Sequence, residues 1–159
     1  MKAYLEPFML YLSRDKGLSR NTLESYGRDI SQFLEFALER GAESPEAIKK
    51  SHVTLYLGGL RQAGRAAATV NRNTVSIRSF FHYLLKERLI GQDPSLDMES
   101  MKPEKKPPMV LTVQEVERLL AAPDGNTAQG MRDKAMLELL YATGIRVSEL
   151  ISLNVDDVH

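Results

Sequence analysis

Apolar residues recur along the first part of this chain at intervals of three and four, the spacing that gathers side chains on one face of a helix. Leu5, Phe8, Met9 and Leu12 predict a first helix over 4–13, with Pro7 tolerated because it falls in the first turn. Gly17 ends that segment. Ser19 is positioned to cap a second helix over 20–40, whose apolar stripe is Leu23, Tyr26, Ile30, Phe33, Leu34 and Ala37 and whose end is marked by Gly41. Ser44-Pro45-Glu46 reads as a cap followed by proline at the first helical position, opening a short turn. Ser51 is the expected cap of a third helix reaching Gln62, and Gly64 breaks it. A fourth helix follows over 66–86, with Val70, Thr74, Ile77, Phe81 and Leu84 in a narrow arc. Four amphipathic helices within 1–90 predict a helical bundle with its own core.

The pattern then changes. Residues 91–108 read GQDPSLDMESMKPEKKPP, and Pro94, Pro103, Pro107 and Pro108 make this stretch an extended, partly stiff linker. Helical periodicity resumes in 109–159. Thr112 with Glu115 three residues on forms a capping box. That helix is expected to end near Ala122, before the turn Pro123-Asp124-Gly125. Another is expected over 131–142, stopped at Gly144, and a last short one over 146–151. The whole chain therefore reads as all-α. The second unit is too small to bury a comfortable core by itself. It is expected to pack on the first unit, pair with another chain, or begin something larger, and the chain reads as a fragment of a two-domain protein.

Composition narrows the chemistry. With no cysteine there is no disulfide, no thiolate metal site and no cysteine nucleophile. The three histidines, His52, His82 and His159, are not a helical turn apart, so no metal site and no cofactor is expected. No uncharged apolar run is long enough to span a bilayer, and Glu6 and Pro7 interrupt the amino-terminal apolar stretch, which points to a cytoplasmic protein without a membrane segment. The formal net charge is zero, from 21 basic and 21 acidic side chains. Its distribution is uneven. Residues 1–106 hold 17 basic and 13 acidic side chains, residues 107–159 hold 4 and 8, and no acid occurs between Glu46 and Glu87.

That acid-free stretch carries the first candidate site. On a helical wheel Arg65, Arg72, Ser76, Ser79 and Lys86 lie opposite the core stripe of the fourth helix, and Arg61 extends the basic edge. Long cations separated by small residues can reach phosphates while the small residues approach base edges. A solvated surface would also be charged, but such surfaces usually mix signs, so a nucleic-acid face is the favoured reading. Arg20, Asn21 and Thr22 place polar donors at the start of the second helix, where they suit phosphate or base contacts or simply cap it. Gly144 lets the chain reverse so that Arg146 opens the next helix, beside the unpaired amides that favour an anion. Glu149, one turn on, could hold that arginine. An anion site and an ordinary helix corner with a surface ion pair both fit this spacing.

The segment TGIRVSEL, preceded by RDKAMLELLYATG, resembles the first catalytic-arginine segment of the tyrosine site-specific recombinases. SRNTLESYGRDISQFLEF, VNRNTVSIRSFFHYLLKE, Asp93-Pro94 and LTVQEVERLL are similar to the amino-terminal part of the Xer subgroup, XerC- and XerD-like proteins of this phage-integrase-type family. The resemblance covers essentially the whole chain. It implies a SAM-like four-helix core DNA-binding domain over 1–90, the linker over 91–108, and over 109–159 the first helices of an incomplete α+β catalytic domain. It implies that the second and fourth helices lie in the major groove of double-stranded DNA. It assigns Arg146 to the scissile phosphate and Glu149 to its support.

Other catalytic groups of the family follow this arginine: a hairpin lysine, a His-x-x-Arg segment, a further His or Trp, and the nucleophilic tyrosine. None is matched here. Tyr141 precedes Arg146 on an apolar helix face and is expected in a core, and Tyr4, Tyr11, Tyr26, Tyr56 and Tyr83 do not align with the nucleophile. The chain is therefore expected to bind DNA without cleaving it alone, as part of a recombinase acting through a 3′-phosphotyrosyl intermediate in chromosome dimer resolution or mobile-element integration. Partner protomers are implied for the full assembly, and the small second unit is a candidate for self-association. Two other readings stand beside this one. One is a naturally short, recombinase-derived DNA-binding regulator. The other is a helical protein-interaction module that does not bind DNA.

Overall fold

A computed structural model describes residues 1–96, 98 and 109–157. Most of the expected linker, Asp97 and 99–108, lies outside the described residues, as does His159. Among the described residues every regular element is helical: α1 Leu5–Arg14, α2 Arg20–Leu38, α3 Lys50–Gln62, α4 Ala67–Lys86, α5 Val113–Ala121, α6 Ala128–Thr143 and α7 Val147–Leu150, with three short 3-10 turns. The chain divides into a first unit, Met1–Lys105, and a second, Lys106–His159.

In the first unit α4 packs against α2 and α3, and α1 packs on α2. The arc expected on α4 is buried in full, from Val70 through Thr74, Ile77 and Phe81 to Leu84. Aromatic rings fill the centre. Phe8 meets Phe80 edge-on at 5.2 Å between ring centroids, and Phe33 meets Tyr56 at 5.3 Å and Phe81 at 6.0 Å. Edge-to-face pairs set the positive ring edge against the negative face, so these contacts add orientation to apolar burial.

Local chemistry sets the helix ends. Ser19 caps α2, its side chain accepting from the Thr22 amide at 3.4 Å. Beyond α2, Gly41 adopts φ +80°, which lets the Gly41 amide donate to Leu38 and the Ala42 amide to Ala37, both at 3.0 Å. The same closure follows α4 without a glycine: Arg88 adopts φ +57°, and the Leu89 amide donates to the Leu84 carbonyl at 2.9 Å. The start of α3 differs from expectation. Ser51 lies inside the helix, and His52 provides the cap, its Nδ1 accepting the Lys49 amide at 3.0 Å. An imidazole nitrogen with a free lone pair can substitute for the more usual Ser, Asp or Glu oxygen. Ser44 makes no side-chain cap, although Pro45 does open a 3-10 turn.

In the second unit the capping box is formed, with the Thr112 amide donating to Glu115 at 2.8 Å and the Glu115 amide to the Thr112 hydroxyl at 3.3 Å. The α6 helix begins earlier than its apolar pattern suggests, because Thr127 caps it by accepting from the Gly130 amide at 3.0 Å. Gly144 ends it in the left-handed conformation, φ +66°, and its amide donates to Leu140 at 2.9 Å. Of the described residues in this unit, Gly130 and Leu150 alone are buried. The expectation of a core position for Tyr141 is corrected: it is 63% exposed, because no described residue of this unit covers that face of α6.

Candidate nucleic-acid interface

Positions 72, 75, 79, 82 and 86 follow one another at helical spacing along the outer side of α4. Arg72, Val75, His82 and Lys86 are exposed there and Ser79 is half-buried. The α3–α4 corner continues this face. Gly64, at φ +70°, turns the chain so that its amide donates to Arg61 and the Arg65 amide to Leu60. Arg61 and Arg65 are both exposed and form no ion pair among the described residues. Ala66, Ala67 and Ala68 are also exposed, and no side chain caps the start of α4. Small residues there let another molecule approach the backbone closely.

Ser76 is a correction. It was expected on the outer face, but it is fully buried. Its single hydroxyl proton is divided between the Asn73 carbonyl at 3.0 Å and Asp29 at 3.4 Å. It belongs to a polar cluster under the face and is withdrawn from the candidate contacts.

That cluster centres on Asp29 of α2, a carboxylate only 2% exposed. Arg72 reaches it with two hydrogen bonds, Nε to Oδ2 at 2.8 Å and Nη2 to Oδ1 at 2.9 Å. The Asn73 amide donates to Oδ1 at 3.2 Å, and Tyr56 donates its hydroxyl to the Asn73 side-chain oxygen at 3.2 Å. A buried carboxylate needs donors on both oxygens, and here each has two. The hydrogen bond to Asp29 pushes the Arg72 guanidinium still further up from its ordinary value. Burial, and then the Asp29 charge, push the Tyr56 phenol up to about 12. Local spacing does not announce this cluster, since Asp29 lies outside the acid-free stretch and arrives from a different helix.

Lys86 is exposed, with its Nζ 4.9 Å from the Tyr11 ring centroid. Arg20 is exposed and donates to Glu24 at 2.9 Å. Asn21 is exposed, and the Thr22 hydroxyl lies 2.9 Å from that of Ser19, so Thr22 takes part in the cap. Arg78 and His82 were not among the predicted contacts. With Lys16, Val75 and Ser79 they line a shallow groove of about 400 Å³ on the same side of the domain. Arg78 was legible as a cation within the acid-free stretch, whereas the placement of Lys16 depends on how α1 packs.

In the second unit Arg146 and Glu149 are brought together. The Arg146 amide donates to Glu149 Oε2 at 2.7 Å, and Nη1 donates to Oε1 at 3.0 Å. The carboxylate at the start of α7 is thus the chain's own. The arginine side chain remains 82% exposed, so its other donors face outward. Among the described residues no group of three or more histidines and carboxylates is arranged to hold a metal ion, and no helix is long and apolar enough to cross a membrane.

Comparison with known proteins places both units. Residues 5–88 match the phage integrase N-terminal SAM-like domain, and residues 109–159 match the phage integrase family. Tyrosine recombinase XerD of Halalkalibacterium halodurans is 45% identical over 98% of this chain and 52% of its own length. Tyrosine recombinase XerC of Herpetosiphon aurantiacus is 40% identical over 99% of this chain and 52% of its own length. The chain spans about half the length of the curated relatives it matches. Among solved structures, the Tn1549 transposon integrase in complex with circular intermediate DNA has the same fold, with a TM-score of 0.70 at 19% identity, over 98% of this chain and 50% of that one.

Proposed function

Because the chain belongs to the phage integrase family of tyrosine recombinases, we propose that it is the DNA-binding portion of a site-specific recombinase and holds the first catalytic arginine of that enzyme. The observation that carries this reading is the outer face of α4. Arg61 and Arg65 stand unpaired at its corner, exposed alanines open the start of the helix, and Arg72 and Lys86 continue along it. Unpaired cations suit phosphates, and a helix with small outer residues fits the major groove. The relatives named XerD and XerC, and an integrase solved with DNA, support double-stranded DNA as the partner.

In the whole recombinase Arg146 would contact the scissile phosphate. Its free donors would neutralise charge that develops as the phosphodiester is exchanged for a phosphotyrosyl bond. Glu149 would hold the guanidinium by the contacts already formed here. Other catalytic groups, the tyrosine among them, would come from the rest of the longer protein, so this chain alone would bind DNA without cutting it. Partner protomers on the same DNA, a cytoplasmic location, and a role in chromosome dimer resolution or mobile-element integration belong to the same reading.

The test is a salt titration of binding to a duplex carrying a Xer-type half-site, beside a scrambled duplex of equal length. Affinity that falls steeply with salt and favours the half-site supports the reading. Feeble binding to both, insensitive to salt, would overturn it.

A further inference from the structure

The cations of the α4 face are not equivalent. Arg61 and Arg65 carry full positive charge into solvent, whereas the charge of Arg72 is matched by a buried carboxylate at 2.8 Å. A cation that binds phosphate works by displacing counterions, and a guanidinium already paired with Asp29 has little charge left for that. The pairing has a geometric consequence instead. Nε and one Nη2 proton are taken by Asp29, which leaves the end-on fork of Nη1 and Nη2, with two parallel N–H donors. The side chain is 44% exposed, so the fork is open, and the buried carboxylate fixes its direction. Along α4, the residues three and four positions from Arg72 are Ala68, Thr69, Val75 and Ser76, none of them charged.

An arginine with a fixed fork, a neutralised charge and uncharged neighbours is built to recognise a pair of acceptors at the edge of a base. In the major groove that pair is O6 and N7 of guanine. We infer that Arg72 reads a guanine edge and that Asp29 is the positioning residue that aims it, while Arg61 and Arg65 supply the phosphate contacts. The inference rests on the reading of the α4 face as a duplex-binding surface.

The experiment uses the whole chain and duplexes selected by it from a randomised pool. Each guanine of the selected site is replaced in turn by 7-deazaguanine, which lacks the N7 acceptor. At one guanine the replacement should weaken the wild-type chain about tenfold and weaken Arg72→Lys, already poorer on the intact site, by clearly less, because a single ammonium shared with Asp29 cannot span N7 and O6 as the planar fork does. Asp29→Asn removes the buried charge but keeps the shape. It should lose preference for the selected duplex over a scrambled one while its log–log salt slope steepens by up to about 0.9, because Arg72 then acts as a full cation. An aspartate with no role in aiming Arg72 would leave the preference for the selected duplex and the effect of 7-deazaguanine unchanged. Thermal melts of each variant establish that it is folded at the assay temperature, and Arg72→Lys keeps the ion pair if Asp29→Asn does not fold. If no guanine couples to Arg72 and Arg72→Lys weakens every duplex equally, Arg72 meets the backbone and the inference is overturned, while DNA binding stands. If the wild-type chain selects no duplex and shows no salt-dependent binding, the functional reading falls with it.

Discussion

Arg72 of α4 and Asp29 of α2 are 43 positions apart in the chain and joined by two hydrogen bonds, of 2.8 and 2.9 Å. The pair joins the helix that presents the outer face to the helix beneath it. Truncating one partner of a buried ion pair leaves the other charge uncompensated, at a typical cost of about 3–5 kcal/mol. Arg72 is half-exposed, and Asn73 and Ser76 still donate to Asp29, so a smaller cost is expected. Arg72→Ala should destabilise the first unit by about 2 kcal/mol in urea unfolding. Adding Asp29→Asn should recover part of that loss. Additive losses would show that the two residues do not act as a pair.

Tyr56 gives the same cluster a signature at high pH. Its phenol is raised from 10.0 to about 12, by burial first and the Asp29 charge second. Below pH 10 both folded and unfolded chains keep the proton, and the contribution to stability is fully present. Between 10 and 12 the unfolded chain ionises while the folded one does not, so stability falls, and it is lost as pH rises through 12. An absorbance titration should show a tyrosine step near 12 that is absent from Tyr56→Phe. A wild-type titration complete by pH 11 would contradict the burial of Tyr56 beside the Asp29 charge.

In the second unit the turn before α6 closes over Gly130. A Cβ there would overlap the Asp124 carbonyl, a backbone atom that cannot step aside as a side chain could. Gly130→Ala should therefore cost about 2 kcal/mol at the start of α6, even though alanine favours helices. Faster amide hydrogen exchange over the first turn of α6, with the first unit unchanged, is the expected result. Unaltered exchange would show that the turn opens freely.

Much of the helical pattern was legible because it depends on near neighbours. The stripe of α4, the Ser19 cap, the Thr112–Glu115 box and the left-handed Gly144 each need residues within a few positions. Failures came where distant segments meet. Ser76 has the spacing of an outer residue at the edge of the face, yet α2 brings Asp29 close enough to draw it inside. The stretch between Glu46 and Glu87 is free of acid in sequence but not in space, since Asp29 lies directly under it. His52 was missed as a cap because imidazole seldom takes that role. Tyr141 was expected in a core because its helix face is apolar, but apolar spacing says nothing of whether another layer covers that face.

On the reading proposed above, the outer face of α4 meets duplex DNA. The most direct test is an amide and arginine Nε chemical-shift titration of the isotope-labelled chain with the half-site duplex. The largest changes should fall at the α3–α4 corner around Arg65, along α4 at Val75 and Ser79, and at the Arg72 Nε resonance, with small changes over the rest of α3. Saturable binding with its changes confined to other surfaces, and Arg72 Nε unmoved, would contradict it.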